Sequence, residues 1–304
     1  MSETAELEDL YSALEESAAV VDVKCSRDKV WPVLTAYGDA IPQAVIAFRV
    51  ASGTRHAGDL DCRFMMLPKE VDPYALALSK GLTTEIDHPA GALLSDLGKR
   101  CPIDGYGIDF GVVGGFKKTW TFFPADAMQR LSTLADIPSM PTSLGTNLDF
   151  FSRYGLEDKG SLIGIDYRHR TANVYFGTPP AECFQPRTIR TMLRELNLPD
   201  PSDQMLDLGQ QAFGIYVTLS WDSSRVERIC FAVMTPDPLT LPVQPDPKIE
   251  RFLKAFPYGG ADRRFVYAVT SSPGGEDDKL QAYYRWRPQM LNVMLLADSA
   301  EDLG

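Results

Sequence analysis

The chain has 304 residues, 44% hydrophobic and 23% charged, with a formal net charge of −11 at pH 7. That composition excludes a disordered or fibrous chain, and an acidic balance with no basic run argues against a nucleic-acid partner, whose phosphates demand a basic face. No apolar stretch reaches the roughly 18 residues that span a bilayer, and the acidic start MSETAELEDLY is unlike a signal peptide, so no membrane partner and a cytoplasmic location are expected.

In chain order, helical periodicity runs through residues 6–21 and 26–40, the second with Ser26 as N-cap. Further helices are expected over 72–81, 89–100, 126–136, 147–155, 187–197, 246–256 and 287–298. Between them lie paired strand-like runs: AVIAFRVAS with DLDCRFMML, YGIDFGVV with FKKTWTFF, SLIGIDYR with TANVYFG, AFGIYVTLSW with RVERICFAVM, and RFVYAVTSS with KLQAYYRW. Short turns rich in Gly, Ser, Asp or Arg join most pairs, which predicts five β-hairpins, each preceded by helix. Hairpins rather than single strands between helices predict an α+β fold with an antiparallel sheet, and ten such strands could close into a barrel ringed by helices. No linker divides the chain, so one domain over 1–304 is expected. The proline-rich PDPLTLPVQPDP reads as a surface connection, and Glu276, Asp277 and Asp278 read as a hairpin loop. Cys25, Cys62, Cys101, Cys183 and Cys230 are scattered, without a CxxC pair, and read as reduced core thiols rather than a disulfide frame or zinc site.

Strand parity sorts side chains onto two faces. One face of FKKTWTFF carries Lys118, Trp120 and Phe122; one face of DYRHRTANVYF carries Tyr167, His169, Thr171, Asn173 and Tyr175. The same sorting groups Gly214, Tyr216, Thr218 and Ser220, then Arg228, Cys230 and Ala232, then Lys279, Gln281, Tyr283 and Arg285. Taken singly, Lys118 reads as a solvated strand residue, Tyr175 and Tyr283 as core tyrosines, and His169 as a structural or surface histidine. His56 and His88 read as exposed turn residues. Recurrence across strands is what points to a lumen with cations at one level and rings at another. Such a lumen suits an allylic diphosphate: Lys, Arg and Tyr would hold the departing diphosphate, and ring faces would stabilise an allylic cation at about 0.5–2 kcal/mol per contact. Asp59 and Asp61 share a strand face and could hold Mg²⁺, or could be an ordinary strand-end acidic pair. EDDKL lacks the second aspartate of a DDxxD motif. GxxxxGK[ST], GxSxG and HExxH motifs are absent, and a Ser/His/Asp hydrolase is not supported by three dispersed histidines.

The segments DPYALALSKGL, GGFKKTWTFFP, IPSMP, FFSRYGL, IDYRHRTANVYF, YVTLSW, RICFAV and KLQAYY together resemble the bacterial aromatic prenyltransferases of the antiparallel-barrel (ABBA, PT-barrel) type, nearly end to end. The resemblance is strongest to those of hydroxynaphthalene metabolism. It implies a ten-stranded antiparallel barrel of five ααββ-like units, with the reaction in its lumen. It also implies transfer of a prenyl group from an allylic diphosphate to an electron-rich aromatic ring by Friedel-Crafts-type substitution. On matching positions it assigns diphosphate contacts to Lys118, Thr171, Asn173, Tyr216, Arg228 and Lys279, with Arg49 and His169 beside them. The prenyl and acceptor walls fall to Ala47, Trp120, Phe122, Leu162, Tyr175, Phe213, Gly214, Ala232, Val266, Gln281 and Tyr283; Tyr175, Tyr216 and Tyr283 carry the catalytic roles. Phe213 is off-parity, which predicts a bulge or bend near Gly214. Three positions depart from the family pattern: His169 replaces a lysine, Trp120 a tyrosine, and Arg49 a serine close to Asp61, the implied Mg²⁺ ligand. An arginine supplies part of a metal ion's charge to phosphate, so retained but reduced Mg²⁺ dependence is expected. The reading is therefore a monomeric prenyltransferase taking an allylic diphosphate (dimethylallyl, geranyl or farnesyl) and an aromatic acceptor such as a hydroxynaphthalene or phenazine. The alternatives are a prenyl diphosphate hydrolase or cyclase, and a non-catalytic carrier of anionic aromatic ligands.

Overall fold

The computed structural model describes residues 3–53, 56–260 and 263–288. Five hairpins supply ten strands: β1 (Val45–Ala51), β2 (Asp61–Leu67), β3 (Gly105–Gly111), β4 (Gly115–Phe122), β5 (Gly160–Asp166), β6 (Thr171–Phe176), β7 (Gly214–Ser220), β8 (Val226–Thr235), β9 (Phe265–Ser272) and β10 (Gly275–Arg285). Each is antiparallel to its chain neighbours, and β1 pairs with both β2 and β10, so the sheet closes into a barrel without an edge. Closure is what turns one face of the sheet into a lumen.

Helices cover the outer face: α1 (Glu3–Val20), α2 (Arg27–Ala36), α3 (Pro73–Ser79), α4 (Pro89–Arg100), α5 (Leu131–Ala135), α6 (Thr142–Thr146), α7 (Leu148–Arg153), α8 (Pro186–Glu195), α9 (Asp203–Gly209) and α10 (Pro247–Ala255). Local chemistry starts several of them. Asp72 accepts from the Tyr74 and Ala75 amides at 2.8 and 3.0 Å, and Asp246 from Lys248 at 2.8 Å, each followed by proline at the first helical position. In α4, Ala90, Leu93, Leu94 and Leu97 form one buried stripe against the sheet. Strand β6 displays the two faces of the barrel: Ala172, Val174 and Phe176 are buried under helices, while Thr171, Asn173 and Tyr175 are half-buried and face the lumen.

Several expectations are corrected. The helices at 142–146 and 203–209 are not marked by clear periodicity, being only five and seven residues long. The stretch 126–136 is a 3₁₀ turn followed by a short helix, because Met128 to Arg130 are extended. Ser26 stands at the N-cap of α2 without a side-chain capping bond. Glu276, Asp277 and Asp278 belong to β10, the turn being confined to the Pro273-Gly274 region. His88 is half-buried and caps α4 through Nδ1, 3.2 Å from the Ala90 amide; His56 is half-buried too. Tyr167 lies beyond β5, in the turn, so parity fails there and its ring stacks on Tyr74 at 4.0 Å in the outer core. Arg285 also leaves the lumen, since the register shift opposite Ile46 and Ala47 inserts Tyr284; its guanidinium bonds Glu6 and the Ile41 carbonyl. Most of the helix expected at 287–298 lies outside the described residues. No described helix is long and apolar enough to cross a membrane.

Candidate active site

Two contiguous cavities occupy the lumen. The first is apolar. Trp120, Phe122, Leu162, Phe213, Gly214, Ala232, Val266 and Gln281 line it, as the resemblance implies, together with Met65 and Ser161. The second is polar, and gathers Lys118, His169, Thr171, Asn173 and Arg228 from three strands and one turn. Arg49, Arg63, Trp120, Tyr175, Tyr216 and Lys279 line both and form the neck between them.

Three implied residues line neither cavity. Ala47 and Tyr283 are fully buried in a cluster with Val45, Met65, Trp120 and Phe122, behind the wall rather than on it. Tyr283 is linked to the apolar cavity by Gln281, whose Nε2 donates to its hydroxyl at 2.7 Å. Asp61 lies behind Arg49. Phe213 precedes β7 and lines the apolar cavity; the register shift in this hairpin falls at Thr218 and Leu219, not beside Gly214.

Backbone shape sets the ring wall. Trp120 pairs with Gly107 on one side and Gly164 on the other. A Cβ at Gly164 would stand 2.6 Å from Trp120 Nε1, so the indole occupies space that only glycine leaves. Tyr175 and Tyr216, paired across β6 and β7, stack at 4.5 Å. Burial above all pushes both phenols upward in pKa, keeping the rings neutral.

At the polar end, two buried carboxylates hold cations in place. Asp166 accepts from the His169 amide at 2.8 Å, lies 3.0 Å from His169 Nδ1, and pairs with Lys118 Nζ at 2.8 Å. Burial raises the Asp166 pKa, but Lys118 and His169 outweigh it and hold the carboxyl well below its usual range. His169 is 62% exposed, at the open rim. Asp61 accepts from Arg49 Nε at 3.0 Å and is bonded on its other oxygen by Lys117. Here too burial opposes, and Arg49 and Lys117 prevail, holding Asp61 ionised. Lys279 is different: among the described residues it makes no ion pair, and lies 5.8 Å from the Tyr216 ring centroid. Burial, then the neighbouring Arg49, Arg228 and Lys118, push it down from 10.5 to about 7, against the pull of Cys230.

Sequence parity misses Lys117 and Arg63. Lys117 is the extra residue of a bulge, since Asp109 pairs with Lys118 and Phe110 with Phe116, and the bulge carries it to Asp61. Arg63 shares the lumen face of β2 with Asp61, two residues away, and that parity could have found it. The donor set fits a magnesium ion poorly. Both Asp61 oxygens already bond cationic side chains, and Arg49 also approaches Asp109 to 3.9 Å. Asp59 stands apart, paired with His56 at 3.0 Å.

Residues 5–294 match the family described as aromatic prenyltransferase Orf2. The chain is 54% identical over 299 residues to 5,10-dihydrophenazine-1-carboxylate 9-dimethylallyltransferase of Streptomyces anulatus, covering 98% of this chain and 100% of that protein. It is 53% identical over 287 residues to flaviolin linalyltransferase of Streptomyces virginiae, covering 94% and 95% of the two chains. A solved structure of 5-dimethylallyl tryptophan synthase from Streptomyces coelicolor, in complex with DMASPP and Trp, shares the fold at 13% identity and a TM-score of 0.50, covering 92% of this chain and 96% of that one. With a closed barrel, a ring-lined chamber and a family match across nearly its whole length, the chain belongs to the aromatic prenyltransferase Orf2 family.

Proposed function

We propose that the polar cavity holds the diphosphate of an allylic donor and the apolar cavity holds the prenyl tail and a fused-ring aromatic acceptor. The observation that carries this reading is the neck, where the two cavities share Tyr175, Tyr216, Trp120 and Lys279. Lys118, Arg228 and Lys279, with Thr171, Asn173 and the Tyr216 hydroxyl, bind the diphosphate. Their fixed charge stabilises the leaving group as the allylic C–O bond breaks and its electron pair departs on oxygen. The stacked Tyr175 and Tyr216 present ring faces to the allylic cation, and Tyr283 acts at one remove by orienting Gln281. A ring carbon of the acceptor then donates a π pair to the allylic carbon. The resulting arenium passes its proton to the departed diphosphate, restoring aromaticity. Closing the chamber against water favours the acceptor over hydrolysis.

The relatives' acceptors, a dihydrophenazine carboxylate and flaviolin, support a planar fused-ring acceptor for this chain. Arg49 and Lys117 supply the positive charge that a magnesium ion would otherwise bring near the diphosphate, and catalysis proceeds without the metal. The protein acts as a cytoplasmic monomer; the exposed large apolar side chains among the described residues, Val71, Val113 and Leu239, sit on separate connections.

The test is incubation with dimethylallyl, geranyl and farnesyl diphosphates against hydroxynaphthalenes and phenazines, with and without EDTA, read by mass spectrometry. Carbon-prenylated acceptor at unchanged rate in EDTA is expected. Prenyl alcohol or cyclised prenyl product with acceptor present would instead identify a hydrolase or cyclase. Diphosphate release no faster than in buffer would identify a carrier. Turnover abolished by EDTA would return Asp61 to a metal.

A further inference from the structure

Arg63 stands out in the lumen because the diphosphate machinery does not account for it. It lines the apolar cavity as well as the polar one, whereas Lys118 and Arg228 line only the polar cavity. Three contacts fix its guanidinium. Nε donates to Asp109 at 3.3 Å, Nη1 donates to the Gln281 side-chain oxygen Oε1, and the planar group lies 4.8 Å from the Trp120 ring centroid. Gln281 is itself held by the Tyr283 hydroxyl at 2.7 Å. Nη2 makes no hydrogen bond among the described residues, and the side chain is 16% exposed, so a donor edge is presented into the chamber.

Charge bookkeeping points the same way. Arg49, Arg63 and Lys117 surround two buried carboxylates, Asp61 and Asp109, leaving one positive charge in excess. That excess positive charge at the chamber wall repels a nearby allylic cation, and does so most strongly where water is excluded. An anionic substituent on the acceptor would cancel that charge and gain a charge-assisted, planar hydrogen bond.

Building on the prenyl-transfer reading above, we propose that Arg63 is a specificity-determining residue that selects aromatic acceptors carrying an anionic substituent, a carboxylate or an acidic phenolate. The carboxylate lies edge-on to the guanidinium, with the acceptor ring along Trp120. Neutral acceptors of the same shape leave Arg63 unmatched and are prenylated more slowly.

The experiment compares a hydroxynaphthoate with the near-isosteric hydroxynaphthamide, using geranyl diphosphate as donor, in the wild-type protein, Arg63→Met and Arg63→Lys. The readout is the ratio of kcat/KM for acid over amide, with acceptor dissociation constants from tryptophan quenching giving the same ratio where turnover is lost. A wild-type preference for the acid that falls about 10- to 100-fold in Arg63→Met is expected, from the worth of a hydrogen bond to a charged group, with partial recovery in Arg63→Lys. An unchanged ratio overturns the proposal, whatever the absolute loss. A fall in geranyl diphosphate affinity with an unchanged acceptor ratio would assign Arg63 to the donor instead. Diphosphate release by the wild-type protein with neither acceptor prenylated would overturn the transfer reading itself.

Discussion

The two halves of the lumen are built from the same strands, yet they hold their side chains by different means. In the apolar half the wall is fixed by backbone shape: Gly107 and Gly164 let Trp120 lie flat, and Ala232 keeps space open. In the polar half positions are fixed by charge, with Asp61 behind Arg49 and Lys117 and Asp166 behind Lys118 and His169. Lys279 is the exception, a half-buried cation with no carboxylate partner among the described residues. The difference implies that the apolar half is a matter of stability and fit, and that the polar half gives up stability to keep charge ready for a ligand.

That contrast can be broken most sharply at Lys279. Lys279→Met removes a half-buried, unmatched cation, so kcat/KM should fall about 100- to 1000-fold while the melting temperature holds or rises. A variant that melts early, or that keeps full activity, would contradict the contrast. At Gly164 the signs reverse. Gly164→Ala forces a Cβ into Trp120 and should cost about 1–3 kcal/mol of stability in denaturant titration, and the acceptor KM should rise more than the donor KM. Equal shifts in the two KM values would place Trp120 outside the acceptor site.

The smallest effect is one of pH. In the free protein Lys279 titrates at about 7 against an ordinary 10.5, so between those values the unfolded chain binds one more proton and stability rises with pH. Donor binding runs the other way. A diphosphate restores the charged lysine, so affinity is level below about pH 7 and weakens above it, by at most about tenfold per pH unit. Calorimetry of donor binding across that range should show proton uptake in the wild-type protein and less in Lys279→Met. Identical proton uptake in both would remove Lys279 from the diphosphate site.

Much of this was legible in the sequence, because strand parity is robust wherever a strand is regular. Lys118, Trp120 and Phe122, and likewise Thr171, Asn173 and Tyr175, reach the lumen as alternation requires. Parity misplaces residues where the ladder is irregular: the bulge that turns Lys117 to Asp61, the extra Tyr284 that sends Arg285 outward, and the turn that takes Tyr167 into the outer core. The short helices α6 and α9 escape because five to seven residues hold too few turns for periodicity. The partnership of Arg63, Gln281 and Tyr283 escapes because barrel closure brings together residues more than 200 positions apart. Strand-interior glycine was, besides the β2 parity of Arg63, an overlooked local signal, since Gly107 and Gly164 mark where the indole lies.

The most direct measurement is a crystal structure with a non-ionising thiolodiphosphate analogue of the donor and an aromatic acceptor. The diphosphate should lie among Lys118, Arg228 and Lys279, with the tail passing between Trp120 and the Tyr175–Tyr216 stack and the acceptor ring in the apolar chamber. A diphosphate bound outside the barrel, or a tail directed away from those rings, would contradict the account.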